Sequence, residues 1–168
     1  MIEAENRTAE KIWDLLQEVL DPEVPVLSVV ELGVVRKVEV GPEQVLITIT
    51  PTYTGCPAMR TIEENILQKL GENGIDNVKI KTILSPAWTT EWLSSETKEK
   101  LREYGIAPPE KVSLEQVLPF LSSEKKPITC PHCGSGNTYM KSFFGSTACK
   151  ALYICKDCME PFDYFKCI

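Results

Sequence analysis

The chain has 168 residues, of which 43% are hydrophobic and 25% charged, and its net charge is −6. This composition is typical of a globular protein with one ordinary domain, or one domain and a small second module. The acidic balance argues against a nucleic-acid partner, which would need a basic surface to displace counterions. No apolar run approaches the ~20 residues needed to cross a bilayer, and the polar N-terminus does not resemble a secretory signal. We therefore expect a cytoplasmic protein without a membrane partner.

The first part of the chain shows helical and strand patterns in the order helix, strand, strand, helix, strand, helix. Helices are predicted over 8–20, 57–70 and 95–104, and strands over 34–40, 45–50 and 77–83. Because a helix separates the second and third strands, these strands are predicted to pair in parallel. The simplest arrangement that covers a face of such a sheet is an α+β domain over residues 1–106, in which a small three-stranded sheet has helices on one face.

Residues 50–59, Thr-Pro-Thr-Tyr-Thr-Gly-Cys-Pro-Ala-Met, lie between the second predicted strand and the helix that follows it. Gly55 allows a sharp turn, and Pro57 suits the first position of a helix. Cys56 is therefore expected at a helix N-terminus, where the partial positive charge of the backbone N–H groups favours the thiolate. The alternative is an inert cysteine that fills a turn.

Two further features of this domain leave a choice between a functional and a structural role. Asp21 and Glu23 lie in an Asp-Pro-Glu-Val-Pro loop, where they are either metal ligands or acid–base groups, or simply cap turns. Trp88 either covers the sheet or lies in a binding loop beside Cys56.

The end of the chain differs in composition from the beginning. Prolines and a Ser-Ser-Glu-Lys-Lys run indicate a linker over 107–127, and six of the seven cysteines follow residue 129. Four of them form two Cys-x-x-Cys pairs, Cys130 with Cys133 and Cys155 with Cys158. Such pairs position thiolates for a tetrahedral metal, so residues 128–168 are predicted to form a zinc ribbon with a structural zinc held by these four cysteines. Four thiolates also suit an iron–sulfur cluster, and the sequence leaves that alternative open.

The remaining candidate ligands of this module are few. His132 is not expected to bind the metal, because four thiolates complete the coordination shell. Cys149 and Cys167 are either buried structural cysteines or groups that reach Cys56 or a partner's metal. With only one histidine, the chain cannot form a di-iron site from paired Glu-x-x-His helices. The aromatic residues of 160–166 indicate a docking patch for another protein.

Three short motifs stand out in the first predicted domain: Asp-Pro-Glu-Val-Pro at 21–25, Glu-Leu-Gly at 31–33 and Thr-Gly-Cys-Pro at 54–57. Together they resemble the MIP18 family (domain of unknown function 59) of iron–sulfur assembly proteins. Family members usually have aspartate where this chain has Glu31, a change that keeps the charge. Residues 50–56, Trp88 with two threonines after it, and Phe-Gly-Ser-Thr-Ala-Cys-Lys at 144–150 make the chain more closely similar to the family of D subunits of phenylacetyl-CoA epoxidase systems.

The resemblance implies an accessory or maturation subunit of a multicomponent phenylacetyl-CoA epoxidase, in aerobic phenylacetate catabolism, that assists iron or iron–sulfur centre assembly. In such systems one other subunit holds a di-iron centre and another is a flavin and iron–sulfur reductase, and these are the expected partners. A homodimer, a non-catalytic scaffold subunit and an enzyme with a nucleophilic thiol remain alternatives. No catalytic residue is implied, and transient iron or an Fe–S cluster would be the cargo. Cys56 would be the functional thiol, and the supporting candidates are Asp21, Glu23, Glu31, Thr54 and Trp88.

Overall fold

The computed structural model describes residues 8–109 and 127–166. The chain divides into two compact units, Met1–Leu93 and Ser94–Ile168, which are described separately below. This division falls earlier than the boundary drawn from the sequence at residue 106. Most of the predicted linker, residues 110–126, lies outside the described residues.

The first unit contains the predicted helices and strands up to residue 82. They are α1 (Ala9–Gln17), β1 (Val35–Val40), β2 (Val45–Ile49), α2 (Ala58–Glu72) and β3 (Val78–Thr82). The Thr8 side chain caps α1 by accepting a hydrogen bond from Lys11 N at 3.3 Å. The helix ends at Gln17, before the predicted residue 20, and Leu20 instead forms a β-bridge with Ser28.

The three strands form one sheet in the order β1-β2-β3. β1 and β2 are antiparallel, and β2 and β3 are parallel, as the intervening helix predicts. Val45, Ile47 and Ile49 alternate along the central strand and are completely buried. The two helices pack against each other and against the sheet, which confirms the α+β prediction. This arrangement places the end of β2 and the start of α2 on either side of the loop that carries Cys56.

The second unit begins with the helix predicted over 95–104, which lies within the predicted first domain. Its elements are α3 (Ser95–Glu103), β4 (Ile106–Ala107), β5 (Thr138–Ser142), β6 (Lys150–Cys155) and β7 (Pro161–Phe165). The sheet order is β4-β7-β6-β5, with β4 parallel to β7 and the other pairs antiparallel. Because Ile106 and Ala107 pair with β7, they belong to the sheet of the second unit, whereas the sequence-based boundaries place Ile106 in the first domain and Ala107 in the linker.

The core of the second unit is built around its cysteines and aromatic residues. Ala107, Ile128, Cys130, Cys155 and Phe162 form a buried cluster, with Tyr153, Cys158 and Tyr164 packed against it. So small a core provides little apolar burial, and such modules usually depend on a bound metal. Within the described parts of both units, no helix is long and apolar enough to span a membrane.

Candidate metal centre and thiol site

The four cysteines of the two Cys-x-x-Cys pairs come together in the second unit. Their sulfur atoms all lie within 4.8 Å of one another. Sγ of Cys130 is 3.8 Å from that of Cys158, and Sγ of Cys133 is 3.6 Å from that of Cys155. A regular tetrahedron with Zn–S bonds of about 2.3 Å has sulfur–sulfur separations of about 3.8 Å. The residues therefore fit a closed four-thiolate zinc site, as predicted.

Backbone N–H groups of the second Cys-x-x-Cys turn stabilise the thiolate form of Cys155. The pKa of Cys155 is lowered to about 7, first because the backbone N–H of Cys158 donates to its sulfur, against the opposing effect of burial. The backbone N–H of Asp157 adds a second hydrogen bond to the same sulfur. Because the thiolate is the form that binds metal, these hydrogen bonds favour coordination through Cys155.

Each Cys-x-x-Cys turn is followed by a residue with left-handed backbone geometry. Gly134 has a φ of 75° and Met159 a φ of 64°. Glycine adopts this conformation without cost, but a side chain with a Cβ does so at about 1–2 kcal/mol. The first turn therefore carries the residue that its geometry favours, and the second does not.

We expect Met159→Gly to stabilise the protein, because glycine removes the steric cost at this φ. The Met159 side chain is 72% exposed, so its removal forfeits little packing. The expected gain is about 1 kcal/mol in the free energy of unfolding, after the larger backbone entropy of glycine in the unfolded chain is subtracted. Denaturant unfolding of the zinc-loaded proteins measures it, with Met159→Ala as the control that keeps the Cβ. A loss of stability in Met159→Gly would contradict the strain argument.

The other candidate ligands of this unit lie outside the group of four. His132 is exposed and packs edge-on against Phe162, with ring centroids 6.5 Å apart. Cys149 is buried, and its sulfur lies 3.1 Å from the Thr147 hydroxyl oxygen. Cys167 lies outside the described residues. In the part of the chain that the structure describes, the metal group comprises the four predicted cysteines and neither His132 nor Cys149.

Cys56 lies in the first unit, in the tight loop between β2 and α2. Gly55 has a φ of 82°, and Cys56 N donates to Tyr53 O at 3.2 Å, which closes a turn just before the helix. The helix begins at Ala58, after Pro57 with a φ of −69°. The Cys56 sulfur accepts hydrogen bonds from the backbone N–H of Ala58 and from the Tyr53 hydroxyl. The predicted position at a helix N-terminus is confirmed.

The predicted thiolate character of Cys56 is wrong, because the structure raises the pKa of this thiol. Burial of the half-buried side chain is the largest cause, and the negative charges of Glu23 and Asp21 add to it. The Ala58 N–H and the Tyr53 hydroxyl lower the pKa but do not offset these effects. The thiol is therefore protonated at neutral pH, beside two carboxylates.

The Asp-Pro-Glu loop brings its acids close enough to Cys56 to act on it electrostatically. Asp21 is buried, and its Oδ1 accepts hydrogen bonds from the backbone N–H of Glu23 at 2.8 Å and of Val24 at 2.7 Å. These bonds are those of a capped turn, so Asp21 both caps the turn and places a carboxylate near the thiol. In contrast, Glu31 accepts from the backbone N–H of Ser28 at 3.0 Å and closes a local turn.

The remaining supporting candidates occupy different environments. Trp88 is buried, and its indole N–H donates to Leu32 O at 2.8 Å, in the loop that precedes β1. Thr54 is exposed in the loop before Cys56. Sequence reasoning missed Tyr53, although a tyrosine three residues before a cysteine across a Gly-containing turn is a detectable signal. It also missed Thr50, whose buried hydroxyl has no hydrogen-bond partner in the described residues.

The raised pKa of Cys56 predicts slow reaction with thiol reagents at neutral pH. We expect the rate of alkylation at Cys56, followed by mass spectrometry of its peptide, to rise with pH to a midpoint above the ordinary thiol value of about 8.5. Glu23→Gln removes a negative charge that disfavours the thiolate, so its midpoint should be lower. Glu72→Gln, at the far end of α2, is the control and should leave the midpoint unchanged. A wild-type midpoint at or below 8.5 would contradict the raised pKa of Cys56.

Comparison with known proteins gives a family match in each of the two parts of the chain. Residues 9–81 match the family model for an iron–sulfur cluster assembly protein, and residues 115–166 match the PaaD zinc beta ribbon domain. The chain is similar to a solved domain of unknown function DUF59 from Bacillus anthracis, with 27% identity and a TM-score of 0.52, covering 58% of this chain and 92% of that one. The first match is thus to an iron–sulfur cluster assembly family, and the second is to a zinc beta ribbon.

Two curated relatives narrow this class. The chain is 36% identical to an "Fe-S protein maturation auxiliary factor" from Porphyromonas gingivalis, over 56% of this chain and 91% of that protein. It is 48% identical to the D subunit of a "Putative 1,2-phenylacetyl-CoA epoxidase" from Escherichia coli strain K12, over 94% of this chain and 92% of that protein. The chain belongs to the family of phenylacetyl-CoA epoxidase D subunits.

Proposed function

We propose that the chain is an accessory subunit that assists assembly of an iron or iron–sulfur centre in a multicomponent phenylacetyl-CoA epoxidase. The observation that carries this proposal is the Cys56 site, in which a thiol at the start of α2 lies within electrostatic reach of Asp21 and Glu23. The family relationship supports the choice of complex, and the relative named as a maturation factor supports the kind of activity.

The chemistry of the site suits transient binding of an iron cation. The two carboxylates beside the protonated thiol carry the negative charge that attracts a cation, and the thiol proton passes to solvent when the sulfur binds the cation. Because Cys56 has a raised pKa, the proton competes with the metal for the sulfur. Such competition favours loading and release over permanent retention. Oxygen from Asp21 or Glu23 and sulfur from Cys56 are ligands that iron accepts.

The ribbon serves a different purpose in this proposal. Cys130, Cys133, Cys155 and Cys158 would hold a resident zinc with no open position, which contributes folding energy and no reaction chemistry. The zinc identity rests on the all-sulfur donor set and the tetrahedral separations. The ribbon then provides a rigid surface toward another subunit.

A second candidate function is that of a non-catalytic scaffold subunit. It is favoured by large apolar side chains exposed on the second unit, where Phe143 is 49%, Phe144 64% and Met159 72% exposed. Exposed aromatic residues are typical anchors of protein interfaces. In this reading the Cys56 site has no role in the complex.

Purification of the epoxidase components from cells with and without this chain tests the proposal. A maturation role predicts that, without the chain, the other subunits still associate but contain less iron, because their centres are not assembled. A scaffold role predicts that iron content per subunit is unchanged and that the complex dissociates on gel filtration. Full iron content and an intact complex in its absence would contradict both functions.

A further inference from the structure

The two Cys-x-x-Cys turns are joined by more than their four sulfurs, because the side chain of Asp157 bridges them. One of its carboxylate oxygens accepts a hydrogen bond from the Ser135 hydroxyl. The other accepts a hydrogen bond from Asn137 Nδ2 at 2.7 Å. Asp157 lies inside the second turn, and both donors lie in the loop that follows the first turn. Each oxygen of the Asp157 carboxylate therefore accepts a hydrogen bond from the loop that follows the first turn.

The backbone of the same loop continues this bridge to the metal ligands. Cys130 N donates to Ser135 O at 2.8 Å, and Asn137 N donates to the Ser135 hydroxyl oxygen at 3.0 Å. From the other side, Lys156 N donates to Asn137 O at 2.8 Å. These bonds form a closed path that runs from Asp157 through the loop to Cys130. A displacement of the carboxylate would therefore move a ligand of the first pair relative to the second turn.

We propose that Asp157 is a positioning residue of the metal centre, which holds the two cysteine pairs at ligand distance and slows the loss of zinc. The inference rests on the proposal above that zinc occupies this site. Groups that orient metal ligands without binding the metal typically change metal affinity about 10–100-fold when they are removed. Since Asp157 connects two turns that come from distant parts of the chain, its removal should act mainly on the rate of metal release.

Zinc transfer from the zinc-loaded full-length protein to a chromogenic chelator measures this rate. We expect Asp157→Ala to release zinc at least about tenfold faster than the wild type. The matched control is Glu160→Ala, because Glu160 is an exposed acid just after the second turn whose side chain makes no hydrogen bond in the described residues. Both substitutions remove one negative charge near the sulfurs, but only the first removes the bridge. The control should release zinc at about the wild-type rate.

Asn137→Ala provides a second and milder test, because it removes one donor to Asp157 and keeps the backbone bond to Lys156. It should also accelerate release, and the double variant should release zinc no faster than Asp157→Ala alone, since both substitutions break the same bridge. If Asp157→Ala does not fold, Asn137→Ala decides the question, and a wild-type release rate in it would overturn the proposal. Equal rates for Asp157→Ala and Glu160→Ala would also overturn it. A wild-type protein that binds no zinc would instead overturn the metal assignment on which the inference rests.

Discussion

Cys155→Ser is expected to abolish stoichiometric zinc binding and to disorder the ribbon sheet. Cys155 is completely buried at the end of β6 and is both a ligand and part of the aromatic core. Serine is a poor ligand for zinc, and the remaining three thiolates leave the tetrahedral shell open. Because structural zinc contributes about 10–16 kcal/mol of apparent binding free energy to folding, this loss exceeds what so small a core can compensate.

Elemental analysis of the purified variants measures the zinc content, and near-ultraviolet circular dichroism reports the packing of Tyr153, Phe162 and Tyr164. We expect about one zinc per wild-type chain and close to none in Cys155→Ser. The control is Cys149→Ser, which removes a buried thiol outside the group of four, and it should retain the metal. Full zinc content in Cys155→Ser would contradict the four-thiolate site. Detection of iron and sulfide in the anaerobically purified wild type would show that the site holds an iron–sulfur cluster instead of zinc.

Cys56→Ser is expected to stop maturation of the epoxidase without unfolding the chain. The side chain is half-buried in a loop, so the replacement of sulfur by oxygen should change the free energy of unfolding by less than about 1 kcal/mol. Iron transfer through the site requires the sulfur, because iron displaces the proton of a thiol far more readily than that of a serine hydroxyl, whose oxygen binds iron weakly. The iron content of the epoxidase purified with this variant should therefore fall to the level found when the chain is absent.

The comparison requires that the variant still reaches its partner. Co-purification with the epoxidase and an unchanged thermal transition show that it does, and Cys149→Ser controls for the loss of a thiol elsewhere in the chain. Normal iron content with Cys56→Ser would remove Cys56 from the mechanism and leave the scaffold function. Asp21→Asn and Glu23→Gln distinguish a carboxylate that binds iron from one that only attracts it. Excess iron should restore the iron content of the epoxidase if the carboxylate acts electrostatically, but not if it is a ligand.

Local patterns in the sequence predict most of the elements. Capping residues such as Thr8 and the alternation of Val45, Ile47 and Ile49 identify the first helix and the central strand. The two Cys-x-x-Cys pairs identify the metal group because each pair carries its geometry within four residues. These features depend on short-range rules that hold wherever such a segment occurs in a fold.

The features that could not be predicted depend on contacts between distant segments. The pKa of Cys56 follows from burial and from Glu23 and Asp21, more than thirty positions earlier in the chain, whereas the sequence reveals only the helix N-terminus beside it. Trp88 donates to Leu32 O, a pairing that no local pattern indicates. For the same reason the boundary at residue 106 differs from the structural division, since the two residues of β4 find their partner in β7.

The pairing of β4 with β7 also determines where the ribbon can be separated from the rest of the chain. In the described sheet, a fragment that begins at residue 128 would lose β4 and expose the edge of β7 that β4 covers at Asp163 and Tyr164. An uncovered strand edge of this kind recruits other chains and promotes aggregation. A cut placed just before Ser94 would instead preserve α3 and β4 as a natural protection of that edge.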